Sequence, residues 1–310
     1  MKKLLLFTLL CCYCITTYCQ KTDTCCNDLK TLYVKSEAEC NLQNALTYCL
    51  SYTCCNPSDY YALYDVARYY ALSHKADSAF TYLLKATQLD NDSALFHMKN
   101  GVFVDLVDRP EWNKLADNML QRYERTHGKI PKREVTLMLF NCWIKDQSHY
   151  EEMRYYPGEV EALWATKNQL DLENLSVLQN YVKDNGWPKY SEVGKDFSSA
   201  AFLIVQHQNP DSTRLMKRYL KLIKKAVKEG EWDADCYALL YDRIQVYHGK
   251  KQLYGTQGIT DKNGKVSIEP IKRAWGVDKR RKKMGLKPLS EYLKALQEQE
   301  DWLNGKKTDQ

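Results

Sequence analysis

No G-x-S-x-G nucleophile elbow, H-E-x-x-H zinc helix, P-loop or EF-hand loop occurs in the 310 residues. Each of those motifs sets a reactive or ligating group at a fixed spacing, so their absence excludes the corresponding chemistry in its usual form. Histidine is scarce, at 6 residues, and no two are spaced to share a metal on one helix face. His149-Tyr150-Glu151-Glu152 has the wrong spacing for a zinc helix. Beyond the N-terminus no run approaches the roughly 18 apolar residues a membrane helix needs. Phenylalanine is also sparse, with 7 residues against 23 tyrosines. Tyrosine packs its ring and keeps a hydroxyl for a partner, which suits helix interfaces and wet surfaces.

The N-terminus reads as an export signal over residues 1–19. Lys2 and Lys3 form a charged start, Leu4 to Cys14 an apolar core, and Thr17 and Cys19 the small positions before cleavage at Gln20. A lipoprotein is the alternative, but no cysteine follows a suitable small residue, and Leu10-Cys11-Cys12 is the nearest approach. The expected location is periplasmic or extracellular. Of 12 cysteines, four leave with the signal, and six of the rest crowd into one window: Cys25, Cys26, Cys40, Cys49, Cys54 and Cys55. In an exported protein this favours disulfides, whose pairing the sequence leaves open. Free thiols and a metal site are the alternatives, the second wanting histidine or Cys-x-x-Cys spacing that is missing. Cys142 and Cys236 read as small buried residues rather than nucleophiles.

The net charge of +6 falls to +4 once Lys2 and Lys3 leave with the signal. That mild excess and the export signal argue against nucleic acid. Charge is unevenly spread. Residues 214–228 carry seven Lys and Arg and no acid, and residues 279–283 read Lys-Arg-Arg-Lys-Lys. A solvated helix face explains such a run most simply. An anionic surface against the basic helix 214–228 is the alternative.

Residues 60–93 look like a tetratricopeptide repeat. Leu63, Ala67 and Tyr70 occupy the first helix's pattern, Ala79, Leu83 and Ala86 the second's, and Asp90-Asn91-Asp92 ends the unit. Small residues sit where two helices cross closely and large ones fill the groove beside them. One such unit needs stacked neighbours. Degenerate ones flank it: Leu29, Leu32, Val34, Leu42, Ala45, Leu46 and Leu50 before, and after it a pair over 94–126 with Gly101 at the small position. Tyr155-Tyr156-Pro157-Gly158 breaks the pattern and places a domain boundary.

Beyond it, the spacing predicts a long helix over 159–183, stopped by Gly186-Trp187-Pro188. Asp196 is expected to cap a helix running to His207, Ser212 the basic helix, and Asp233 or Asp235 a helix over 236–247. Strands are expected over 252–260 and 265–271 around Lys262-Asn263-Gly264, then a helix from Pro288 through Leu296. The expected fold is mainly α: a cysteine-rich repeat region at 20–157, a compact helical domain at 158–303 with one small β-hairpin near 252–271, and a disordered tail at 304–310.

Several polar residues interrupt these apolar runs, and unpaired they destabilise the fold. His207 follows Leu203 and Ile204 on the buried face, where a histidine bonded to backbone is the commoner case and a general base the sharper one. Asp242 and Arg243 sit mid-helix about 100° apart, so each needs its own partner. His207 is conceivable for Asp242, and Asp278 or a ligand carboxylate for Arg243. Tyr254-Gly255-Thr256-Gln257 sets a flexible glycine among hydrogen-bonding side chains. Trp187, His207, Arg243, Tyr254, Gln257 and Arg280 are the candidate ligand-binding residues, and His207 and Asp242 the catalytic candidates. No cofactor or metal is implied.

Taken together, residues from about 175 to 296 resemble a family of exported bacterial domains of unknown function. The resemblance rests on Gly186-Trp187-Pro188, Gly194, Ala200 to His207, Ala226-Val227, Asp242-Arg243, Gln252 and Tyr254 to Gln257. It continues in Val277 to Arg281, Met284-Gly285-Leu286, Pro288-Leu289 and Glu291-Tyr292-Leu293. The chain departs from it at Lys272-Arg273-Ala274-Trp275. The resemblance implies upstream helical repeats and no assigned activity. The functional expectation is a protein-interaction or ligand-binding module, with a protein or peptide as the partner of the repeats. The alternative is a hydrolase with His207 as base, Asp242 orienting it, Gln257 in the cleft and Arg243 or Arg280 holding an anion.

Overall fold

The computed structural model describes residues 23–89 and 93–303, and it is mainly helical with one two-stranded hairpin. Residues 1–22, where the export signal is expected, Asp90-Asn91-Asp92 and residues 304–310 lie outside the described residues. The chain divides into two compact units. One holds residues up to Lys129 with Phe140–Leu170, the other Ile130–Leu139 with residues from Asp171 onward.

The first unit begins with four helices: α1 (Asp23–Ala38), α2 (Leu42–Cys55), α3 (Tyr60–Leu72) and α4 (Ala76–Leu89). Side-chain caps start two of them, with Asn41 accepting from the Asn44 amide and Asp59 from the Ala62 amide, each at 3.1 Å. Helices α3 and α4 form a hairpin. Ala62, Ala67, Ala79 and Ala86 are fully buried, and Leu63 and Leu83 nearly so. On α1 the buried side chain is Tyr33, while Leu32 and Val34 face solvent. The apolar reading of Leu32 and Val34 as core is thereby corrected: Leu29, Tyr33 and Ser36, at spacings of four and three, define the inward stripe.

Among the cysteines expected to pair, Cys26, Cys40 and Cys49 are thiols here. Cys49 is fully buried and donates its S–H to the Ala62 carbonyl at 3.4 Å, as a small core residue does. The Cys25 side chain lies outside the described ones.

The expected helix pair over 94–126 is half present. Its second member is α6 (Pro110–His127), with proline in the favoured first turn. Its first member is replaced by a short α5 (Ala94–His97) and a 3-10 turn at Gly101–Leu106. Gly101 explains the break. A Cβ there would lie 1.9 Å from the Gln147 carbonyl oxygen, so bare backbone packs on backbone. Three helices follow: α7 (Arg133–Asp146), α8 (Glu152–Tyr155) and α9 (Val160–Asn185). Gly186, at φ +77°, ends α9.

In the second unit, α10 (Tyr190–Val193) leads into α11 (Lys195–Gln206), α12 (Thr213–Lys228) and α13 (Ala234–Tyr247). Gly194, not Asp196, takes the N-cap of α11, and Asp196 sits inside its first turn. Almost every face of α11 is buried, from Phe197 through Ala200, Ala201, Ile204 and Val205, which makes it the central helix. Helix α12 buries Met216, Tyr219, Ile223 and Ala226 and turns its cations outward. Trp187 packs edge-on against Trp232 at 5.3 Å and beside Tyr219 at 5.7 Å.

The hairpin is shorter than expected, with β1 (Gly258–Thr260) paired antiparallel to β2 (Val266–Ile268) and Ile259 opposite Ser267. Asp261 ties the turn by accepting from the Asn263 and Lys265 amides. Gln252 pairs with Ile271 in a single parallel bridge, and residues 253–256 leave the strand because their peptide groups bond to side chains. Helices α14 (Val277–Lys283) and α15 (Leu289–Leu303) close the unit.

Candidate functional site

Between its bridge at Gln252 and the start of β1, the segment to Gln257 has no regular structure, yet its peptide groups are bonded almost completely. Asp242, fully buried on α13, supplies the acceptors. One carboxylate oxygen accepts from the Leu253 amide at 2.7 Å. The other accepts from the Tyr254 amide at 3.0 Å, the Thr256 amide at 3.2 Å and the Thr256 hydroxyl at 3.1 Å. Burial lifts the Asp242 carboxyl above its ordinary range, and the three amides oppose that lift.

Two arginines serve the carbonyls. Arg280 Nε donates to Leu253 at 2.8 Å, and its Nη2 to Lys272 and Arg273, each at 3.0 Å. Arg281, buried to 1% exposure, donates through Nη1 to the Tyr254 and Gly255 carbonyls at 2.9 Å and through Nε to Lys287 at 2.6 Å. Its guanidinium lies 4.7 Å from the Tyr292 ring centre, and the Tyr292 hydroxyl donates to the Thr256 carbonyl. Gln252 closes the segment on itself: its side chain accepts from the Gln257 amide and donates to the Gln257 and Glu269 carbonyls. Asp278 accepts from the Leu289 amide at 2.8 Å and starts α15.

Gly255 is required where it stands. Its φ is +70°, and a Cβ would meet the Ile271 and Leu289 side chains at 2.8 and 2.9 Å.

The sequence-predicted candidates separate in space. Arg243 and Gln257 come together, with Arg243 Nε donating to Gln257 Oε1 at 3.0 Å and Nη1 to the Gln206 carbonyl. Both line a cavity of about 280 Å³ with Tyr292, Leu296 and Glu300. Tyr254 turns instead to Tyr241, edge-on at 6.0 Å, and burial pushes its hydroxyl up to about 12. Arg280 braces backbone. Trp187 lies in the aromatic core. His207 caps the C-terminus of α11, its amide bonded to the Leu203 carbonyl at 2.8 Å.

The expected His207–Asp242 pair does not form. Asp242 is sealed from solvent, and its hydrogen bonds go to residues 253–256. The expected Arg243–Asp278 contact is replaced by Gln257 on one side and the Leu289 amide on the other. No three His, Cys, Asp or Glu side chains cluster as metal ligands among the described residues. No helix among them is long and apolar enough to cross a membrane.

Sequence reasoning missed two features of the first unit. Arg68, on α3 and 9% exposed, donates to Glu151, Glu37 and Asp65, and Glu37 also accepts from Tyr69. The second is an aromatic groove of about 460 Å³ lined by Tyr64, Phe96, His97, Trp143 and Tyr150, with Lys99, Asn100, Gln147 and Glu151 at its polar positions. The ammonium of Lys99 stands 3.8 Å from the Trp143 ring centre. Only the spread of tyrosine along the chain hinted at it, since its residues lie up to 87 positions apart, from Tyr64 to Glu151.

Helices packed about a side-chain-braced irregular segment and a short hairpin define the class to which the second unit belongs. The chain is a member of DUF6624, a family of unknown function, whose model matches residues 150–304, half of the chain. No curated protein and no solved structure matches it.

Proposed function

We propose that this protein is an exported binding module whose helical repeat unit captures a peptide segment. The aromatic groove of the first unit carries the reading. Phe96 and Tyr150 are 37% and 41% exposed, and large aromatics left in water beside a cavity favour a partner that covers them. Among the polar positions, Asn100 is engaged by the Val102 amide and the Tyr64 hydroxyl and the Gln147 nitrogen by Asp146, so the Gln147 side-chain carbonyl faces a guest's backbone N–H, and Lys99 and Glu151 supply opposite charges. Glu151 is held by Arg68, so the groove's acid is fixed in place. The aromatic walls fit one aromatic or branched aliphatic side chain of the guest.

Export rests on the charged start and apolar core before Cys19, and the clustered cysteines suit an oxidising compartment. In that compartment some of Cys25, Cys26, Cys40, Cys54 and Cys55 are proposed to pair and staple the first repeat.

Selection of a random displayed-peptide library on the folded chain tests the groove. Enriched peptides are expected to share an aromatic or branched aliphatic anchor and to lose about tenfold or more in affinity for Trp143→Ala. No enrichment, or affinity indifferent to Trp143, contradicts the reading.

A further inference from the structure

A third cavity, of about 510 Å³, opens between the end of α13 and the residues that follow the hairpin. Tyr241, Gln245 and Leu253 form its floor and walls, and Lys250, Lys251, Lys272 and Arg273 complete it. All four cationic side chains are exposed, and none forms an ion pair or side-chain hydrogen bond among the described residues. Two lysines elsewhere in the unit meet acids, Lys189 with Glu229 at 2.9 Å and Lys195 with Asp233 at 2.8 Å. Four cations around one cavity with no carboxylate among its lining residues repel one another. Such an arrangement is relieved by a bound anion.

The cavity is built on a fixed frame. Arg280 holds the Leu253, Lys272 and Arg273 carbonyls together, joining its two walls. Arg273 stands in the left-handed region at φ +53°, which its Arg280 bond helps to retain. Two residues on, Trp275 is 91% exposed, the most exposed large apolar side chain described. An indole in water beside a cationic cavity matches the chemistry of the lipid–water interface, where tryptophan settles at headgroup depth and basic residues meet anionic lipid.

We propose that this face docks on an anionic phospholipid surface, with a headgroup phosphate in the Lys250–Lys251–Lys272–Arg273 cavity and Trp275 in the interfacial layer. The site is separate from the peptide groove and does not rest on it.

Co-sedimentation with phosphatidylglycerol-containing vesicles and with pure phosphatidylcholine vesicles, at low and raised salt, tests the proposal. The native chain is expected to bind only the anionic vesicles and to release as salt rises. Each basic residue near such a surface contributes about fivefold in binding, so Lys272→Glu with Arg273→Glu is expected to weaken it by at least about 25-fold. Trp275→Ser is expected to weaken it about tenfold. Should the first pair fail to fold, Lys250→Glu with Lys251→Glu, which leaves the left-handed residue untouched, carries the same expectation. Lys217→Glu with Lys221→Glu, on the outer face of α12, tests the competing basic surface. Four results overturn the proposal: no binding at low salt, binding indifferent to the cavity and to Trp275, loss with the α12 pair alone, or calorimetric binding of soluble glycerol phosphate without vesicle binding.

Discussion

Asp242 illustrates how a polar residue that looks catalytic in sequence becomes structural in space. A buried carboxylate is tolerable only when its oxygens are satisfied, and here amides and a hydroxyl of residues 253–256 satisfy them. Arg281 does the converse for the Tyr254 and Gly255 carbonyls. Between them Gly255 has neither room for a side chain nor an ordinary backbone angle. Gly255→Ala is therefore expected to destabilise the domain by about 2–4 kcal/mol, combining left-handed strain with overpacking. Chemical unfolding measures this, and a variant as stable as the native chain contradicts the account. None of these three roles was visible in spacing alone. Sequence marked Asp242 and the Val277 to Arg281 stretch as costly to bury and Gly255 as flexible, with no sign that the partners of Asp242 and Arg281 were backbone atoms of a neighbouring loop.

At the scale of elements, periodicity served well where one face is buried. The α3–α4 hairpin and the basic helix α12 lie where apolar spacing predicts, and Ala67, Ala79, Leu83, Tyr219 and Ile223 are inside. It served less well on α1, where a tyrosine rather than the aliphatic residues beside it faces the core, and over 94–106, where Gly101 admits the Gln147 backbone and breaks the expected helix. The strands were overextended because a run such as Gln252 to Gln257 has strand character whether another strand or side chains receive its peptide groups. Helix α3 also carries a pH-dependent element. Burial raises the Asp65 carboxyl to about 6, with Arg68 opposing and Glu37 adding to the rise. A raised carboxyl binds more protons folded than unfolded, so its contribution to stability declines as pH rises from about 4 to about 6 and then levels off. Relative to the native chain, Asp65→Asn is expected to gain roughly 1–3 kcal/mol between pH 4 and 7. Denaturant midpoints across that range check it, and a flat difference or a loss contradicts it.

At the scale of the whole molecule, the residues carrying the family resemblance gather in the second unit. There Asp242, Gln252, Arg280, Arg281 and Tyr292 are the braces of one segment rather than scattered polar accidents. That grouping was legible in the sequence as a pattern, and its purpose was not, because braces as far apart as Asp242 and Tyr292, which meet on Thr256, are invisible to local periodicity. The groove and the cationic cavity escaped notice for the same reason, their walls being assembled from distant segments. The central claim is that Asp242 organises the 252–257 segment. Native-state hydrogen exchange at the Leu253, Tyr254 and Thr256 amides in the native chain and in Asp242→Asn tests it most directly. The account predicts strong protection in the native chain and a selective loss at these three amides in the variant, while α11 stays protected. Rapid exchange at the three amides in the native chain, or protection unchanged by the substitution, would contradict it.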